Sequence, residues 1–317
     1  MKKPLIILTG PTAVGKTDLS ISLAKAVGGE IISADSMQVY KKMNIGTAKI
    51  TKEEMDGVPH HLIDVLDPSE EFNVFLFKEL AKKSMDEIYK RGHIPILTGG
   101  TGFYIQSVIY DIDFNEENGD KEYRKELEQL ALLKGCEHLH NMLKEVDSKA
   151  ADEIHANNVK RVIRALEYYK ETGQKISEHN KEQREKASPY NFAYFVLNDL
   201  RENVYDRINQ RVDIMVKNGL VEEVTQLVNE GYTRNLVSMQ GLGYKEIIDA
   251  LNGEITMDEA IYRIKLETRH FAKRQLTWFR REKDVIFLNK NEFNYEKEAI
   301  LKYIKTCLLD KKIIEDK

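Results

Sequence analysis

Two cysteines, Cys136 and Cys307, are all that 317 residues supply, and they show no metal-ligand spacing. That is too few for a disulfide framework, so a reducing compartment, the cytoplasm, is expected. No apolar run is long enough to span a bilayer, and Met1-Lys2-Lys3 leads into a short strand instead of a signal peptide. No membrane partner is therefore expected. Positive charge is not in excess either: the net charge is −4, so an RNA partner would have to be held by local basic patches. Low-complexity tracts, internal repeats and an H-E-x-x-H metal constellation are also missing, and the pair His60-His61 reads as structural. What remains is 42% apolar and 32% charged, the composition of a globular chain with one large domain or two modest ones.

The strongest positive signal is at the start. Leu5-Ile6-Ile7-Leu8-Thr9 reads as a buried strand and runs into Gly10-Pro11-Thr12-Ala13-Val14-Gly15-Lys16-Thr17. A segment with helical spacing at Leu19, Leu23 and Val27 follows. This is a G-x-x-x-x-G-K-T phosphate loop in its required setting, between a strand and a helix. Its glycines let backbone N–H groups converge on phosphate oxygens, and the helix N-terminus adds its dipole. Lys16 supplies charge to the outer phosphates, and the Thr17 hydroxyl is a ligand for Mg²⁺, the expected cofactor. The loop implies a bound di- or triphosphate, without saying which compound or whether a phosphoryl group moves.

Further along, Glu30–Ala34 and His93–Thr98 read as strands, and a helix is expected from about Phe75 to Lys90. The strands break at Asp35-Ser36 and at Gly99-Gly100-Thr101-Gly102. In an open α/β sheet, ligands bind beyond the carboxyl ends of the strands. Thr12–Thr17, Asp35-Ser36 and Gly99–Thr101 therefore belong on one rim. From about Asn115 to Pro189 amphipathic helices replace strand patterns, which marks a helical insertion. The sheet pattern resumes at Phe192–Leu197 and again at Val285–Leu288. The fold class is α/β: a P-loop NTPase-like parallel sheet flanked by helices, with core segments 1–114 and 191–317 and an all-helical insertion over 115–190.

Several residues stay open on their own chemistry. Asp35 at a strand tip can orient Mg²⁺, accept a proton or cap the next turn. Arg207 and Arg211, four apart on a helix, share one face; they suit a diphosphate clamp or a solvated face paired with Glu202, Asp206 and Asp213. Lys160, Arg161 and Arg164 form one basic patch, and the stretch Arg263–Lys283 a second; taken alone, such patches are more often solvated helix faces. Trp278 suits a core anchor or a base-stacking platform.

Taken together, the motifs resemble the tRNA dimethylallyltransferase (isopentenyltransferase) family. The resemblance runs through Gly10–Thr17, Asp35–Tyr40, Asn44–Lys49, Gly99–Tyr104, Lys160–Glu167, Arg207–Arg211 and Lys273–Arg280, nearly the whole chain. Only Val14, where serine is commoner, and the variable Met37 depart from it. The resemblance implies transfer of a dimethylallyl group from dimethylallyl diphosphate to N6 of adenosine 37, beside the tRNA anticodon. Gly10–Thr17 and Arg207 would hold the diphosphate, and Arg211 would share in neutralising it. Asp35 would be the general base, with Thr101 and Arg211 beside it in the catalytic set. Contacts to the RNA would come from Asp35, Ser36, Met37, Gln38, Thr101 and Arg124, and from Val159, Lys160, Arg161, Val162, Ile163 and Arg164 on the insertion. The partners would be tRNA and dimethylallyl diphosphate, and the chain a monomer. Two alternatives are a small-molecule kinase using ATP and a prenyltransferase acting on free adenine nucleotides. Against the first, no strand ending in a magnesium-orienting aspartate follows the loop. Against the second, a mononucleotide acceptor needs no gripping insertion.

Overall fold

The computed structural model describes residues 2–114 and 121–315, and the chain divides into two compact units. The larger comprises 1–109 and 189–317, the smaller Tyr110–Ser188. The expected boundary at Asn115 lies outside the described residues.

In the larger unit, β1 (Lys3–Thr9) is followed by α1 (Lys16–Val27), β2 (Gly29–Ser33) and a two-residue edge strand β3 (His60–His61). Then come α2 (Val74–Lys90), β4 (Ile94–Gly99) and α3 (Gly102–Ile109). After the smaller unit, the chain continues with β5 (Tyr190–Asn198), α9 (Arg201–Lys217), α10 (Leu220–Asn229) and α11 (Tyr244–Leu251). It ends with α12 (Met257–Phe279), β6 (Val285–Asn289) and α13 (Lys297–Asp310). The six strands form one sheet in the order β3-β2-β4-β1-β5-β6, and every pairing is parallel. Parallel strands are covered on both faces, which is why β1 reads as the unbroken run Leu5–Leu8, each residue fully buried. Alternate residues Ile6, Leu8, Ile96, Phe195 and Leu288 share one cluster with α1 and α13. Burial of Phe77, Met85 and Ile88 fixes α2, each contributing roughly 2 kcal/mol.

Strand order reverses direction at β1: β2 and β4 lie to one side, β5 and β6 to the other. The carboxyl edge beside β1 is thus the switch-point crevice where such sheets bind ligands. The strands expected from the sequence are present within a residue or two at each end. Only β3 was not anticipated, because two residues show no alternation.

His61 instead takes part in a buried cluster at the sheet edge. The Glu30 carboxylate accepts from Nε and Nη2 of Arg91, each at 2.8 Å, and meets His61 Nε2 and His93 Nδ1 at 2.7 Å. Arg91, first among these donors, lowers the Glu30 carboxyl to about 2. A depressed carboxyl stabilises the fold above its unfolded value, and that contribution is lost as pH falls toward the folded one. Glu30→Gln is expected to lose about 2 kcal/mol at pH 7, a modest figure because Arg91 and His93 are half exposed. In urea melts, the gap to the parent protein should close as pH falls from about 4.5 toward 2; a constant gap would exclude the Glu30 charge as its source.

The smaller unit contains α4 (Lys121–Lys134), α5 (Cys136–Val146), α6 (Ser148–Glu153), α7 (Val159–Thr172) and α8 (Ile176–Glu185). Leu127, Leu139, Leu143, Val162, Ile163 and Leu166 form its core. Asp147 ends α5 and starts α6: its carboxylate accepts from Ala150 N and from Ser177 N and Oγ.

Candidate active site at the carboxyl edge of the sheet

The loop between β1 and α1 has a backbone that few sequences can adopt. Gly10 has φ 149°, and a Cβ there would lie 2.2 Å from the Leu197 carbonyl oxygen of β5. Ala13 (φ 62°) and Gly15 (φ 99°) both take left-handed conformations, turning the chain back on itself. Inside this turn Lys16 Nζ donates to Gly10 O and Pro11 O at 2.9 and 2.8 Å. Burial, and then the nearby Arg211, lower Lys16 to about 7. Arg211 is itself lowered by burial and by Arg207. No carboxylate forms an ion pair with either cation among the described residues; the opposing charge that acts on Lys16 is Asp35. Two half-desolvated cations at a helix N-terminus form a site that an anion completes.

Arg207 takes a different place from Arg211. Its Nε donates to Ala13 O at 2.9 Å, and its Nη2 pairs with the buried Asp199 at 2.6 Å. It braces the loop from outside with its charge already matched, whereas Arg211 keeps its charge for the pocket. The sequence suggested Glu202, Asp206 and Asp213 as partners on this face; the partner found is Asp199, and Asp213 pairs with Lys265.

Asp35 follows β2, and its Oδ1 accepts from Met37 N at 2.8 Å and Gln38 N at 3.2 Å. One oxygen thus caps the turn while Oδ2 accepts from no donor among the described residues, so the capping role and the chemical role do not compete. Gln38 extends the turn, its Nε2 donating to Thr47 O and Ala48 O. Thr101 caps α3 through its carbonyl, and its own N–H donates to Ala34 O at 3.3 Å, tying the ends of β2 and β4 together.

These pieces surround one pocket of about 450 Å³. Thr12, Asp35, Ser36, Thr101 and Arg211 give it a polar wall; Ile208, Val212, Met215, Ile264 and Phe271 give it an apolar one. Met37 lines it as well. Thr17 lies in a separate, smaller cleft with Ser33, Gln38 and Thr98, and Thr98 Oγ1 is buried with no partner among the described residues. Among the described residues no group of three His, Cys, Asp or Glu side chains is set to hold a metal. The donors at Thr17 are neutral oxygens, which fit a hydrated Mg²⁺ carried by phosphate better than a caged ion.

Sequence reasoning gave Gln275 no role. Its buried side chain accepts from Thr12 N at 2.9 Å and donates to Gly100 O at 3.0 Å, joining the phosphate loop to the turn that carries Thr101. Trp278, one turn later on α12, packs where Gly102 leaves room: a Cβ there would stand 2.2 Å from the indole Cδ1. Phe103 meets the indole edge-on at 6.0 Å. Of the two roles open to Trp278, the anchoring one is filled.

In the smaller unit, Lys160 and Arg161 are exposed on α7, while Val159 and Arg164 are half buried. Val162 and Ile163 are 0% and 4% exposed in the helical core. Their side chains pack the core that holds α7 in place. Arg124 is engaged in two 2.7 Å bonds to the buried Glu167.

Comparison with known proteins places this geometry. A family model described as IPP transferase matches residues 38–282. The tRNA dimethylallyltransferase of Lachnoclostridium phytofermentans is 59% identical over 99% of this chain and 100% of its own length. That of Acetivibrio thermocellus is 53% identical over 96% and 97%. Among solved structures, the tRNA isopentenylpyrophosphate transferase of Bacillus halodurans superposes with TM-score 0.74 at 47% identity, covering 98% of both chains. A eukaryotic dimethylallyltransferase acting on tRNA gives 0.78 at 31%, covering 90% of this chain and 74% of that one. By the extent of these matches, the chain belongs to the IPP transferase family.

Proposed function

We propose that this chain transfers a dimethylallyl group from dimethylallyl diphosphate to N6 of adenosine 37 in tRNA, releasing diphosphate. The observation that carries the reading is one pocket lined by Asp35, by Arg211, which pairs with no carboxylate among the described residues, and by an apolar wall. The diphosphate sits on the N–H groups of Gly10–Thr17, with Lys16 leaving the Gly10 and Pro11 carbonyls to reach it. The prenyl chain lies along Ile208, Val212 and Phe271. Adenosine, extruded from the anticodon loop, presents N6 to Asp35. As the C1–oxygen bond to diphosphate breaks, the C1–N6 bond forms and the N6 proton passes to Asp35 Oδ2. Arg211, Lys16 and the loop N–H groups neutralise the departing diphosphate. Thr17, with Ser33, Gln38 and Thr98 in the smaller cleft, would hold Mg²⁺, which supplies further charge neutralisation when bound.

A kinase reading finds less support. β4, beside β1, ends Leu97-Thr98-Gly99 with no carboxylate to orient a metal on ATP. We take the chain to act as a monomer. No helix among the described residues is long and apolar enough to cross a membrane, and a tRNA acceptor makes the cytoplasm the expected place of action.

On the smaller unit, Lys160 and Arg161 would grip the stem-loop backbone. The double variant Lys160→Ala/Arg161→Ala should flatten the plot of log K for RNA against log salt by about 1.4 to 1.8, the loss of two phosphate contacts. An unchanged slope would remove these residues from the interface.

The reaction itself is tested with labelled dimethylallyl diphosphate, Mg²⁺ and an unmodified anticodon stem-loop. Label should enter the RNA and disappear when guanosine replaces adenosine 37. Label in AMP alone would transfer the reading to free nucleotides, and consumption of ATP without transfer would restore the kinase.

A further inference from the structure

Glu223 lies in the first turn of α10, and its carboxylate leaves that helix to serve another part of the chain. Its Oε2 accepts from Asn44 N and Ile45 N, both at 2.8 Å, and its Oε1 from Gly46 N at 3.1 Å and Tyr244 Oη at 2.7 Å. Three successive backbone N–H groups form the kind of concavity that binds anions. Here the anion is internal, 177 to 179 residues away in sequence. Tyr244, fully buried on α11, holds Glu223 from the other side; burial and that carboxylate raise its phenol well above the ordinary range, so it stays a donor. The packing is close: a Cβ on Gly46 would lie 2.6 Å from the Tyr244 ring.

The loop continues from this clamp into the pocket wall. Gly46, Thr47 and Ala48 line the pocket; Glu223 itself does not. The carbonyls of Thr47 and Ala48 accept from Gln38 Nε2 at 3.3 and 3.2 Å, and Gln38 N donates to Asp35 Oδ1 at 3.2 Å. A chain of hydrogen bonds thus leads from Glu223, through the loop and Gln38, to the carboxylate that faces the substrate.

We infer that Glu223 is a positioning residue for prenyl transfer: by clamping Asn44–Gly46 against Tyr244 it sets the turn that aims Asp35. The inference rests on the transfer reaction proposed above. Small displacements of a reacting group lower rate far more than they lower ground-state binding. Glu223→Gln keeps the shape of the side chain but replaces one accepting oxygen by a donor, which repels an N–H it should accept.

The test measures kcat, donor and RNA affinities and melting midpoints for Glu223→Gln, alone and combined with Asp35→Asn. Expected for the single variant are a kcat lower by about tenfold and both affinities within about threefold of the parent. Combined with Asp35→Asn it should add no further loss, because an aim correction has no value once the base is gone. If Glu223 only held the fold together, its loss would multiply with that of Asp35→Asn, and this result would overturn the inference. So would a parent-like kcat. Should Glu223→Gln fail to fold, Tyr244→Phe removes a single bond to the clamp and should lower kcat by about threefold with the same dependence on Asp35. A parent protein that transfers no label would instead contradict the proposed reaction, separately from any outcome with Glu223.

Discussion

Asp35→Asn is expected to lower turnover on the order of a hundredfold or more while RNA binding stays within a small factor. The substitution is chosen because the structure divides the work of this carboxylate. Oδ1 accepts from Met37 N and Gln38 N, and asparagine can keep both bonds with its carbonyl oxygen. What asparagine cannot do is take a proton at the other position. Asp35→Ala removes both functions, so it should lose at least as much turnover and weaken RNA binding in addition, because the turn from Met37 to Gln38 loses its cap. Single-turnover rates with saturating donor and stem-loop separate the two effects. Parent-like turnover in Asp35→Asn would take Asp35 out of the chemistry and leave it a cap.

The second large effect falls on the donor. Lys16→Ala should weaken binding of the diphosphate by roughly ten- to a hundredfold, the value of a charge-assisted hydrogen bond. It should lower kcat/KM by more, since charge on the leaving group grows as the bond breaks. The pH dependence follows from burial. Lys16 titrates at about 7 in the free protein, and an anion bound beside it raises that value. Binding above pH 7 therefore requires uptake of a proton, and donor affinity should be level below about 7 and fall as pH rises beyond it. Lys16→Arg, charged throughout, should abolish the break. Stability runs the other way: the unfolded chain holds the Lys16 proton more tightly, so between about 7 and 10.5 this group makes the donor-free fold gain stability as pH rises. Calorimetric titration with a non-hydrolysable prenyl diphosphate analogue at several pH values checks the first sign, and urea melts check the second. Affinity level through pH 9 would contradict the assignment.

The parts of this site that were legible in the sequence are those where chemistry and local structure share a stretch of chain. Leu5–Thr17 is strand, turn and helix start within thirteen residues, and its glycines are required by the path the backbone takes. Asp35 and Thr101 could be placed on one rim because each ends a strand with a readable apolar pattern, and parallel strands put their carboxyl ends together. Gln275 and Glu223 left no such trace. Each acts by bonding its side chain to a backbone group far away in sequence, at Thr12 and at Asn44–Gly46, and such a bond imposes no periodicity on either segment. Arg207 and Arg211 show the limit of helical spacing: it put them on one face, but only the neighbouring Asp199 decides that one braces the loop and the other keeps a free charge. Val162 and Ile163, in the same stretch as Lys160 and Arg161, hold their amphipathic helix in place.

In the proposed reaction the phosphate loop releases diphosphate as a leaving group and moves no phosphoryl group. The most direct measurement is product stoichiometry in one reaction: dimethylallyl label entering the stem-loop, inorganic diphosphate and orthophosphate, followed together without ATP. One diphosphate for each label transferred, and no orthophosphate, is the expected result. Orthophosphate released in step with turnover, or transfer that requires ATP, would contradict it.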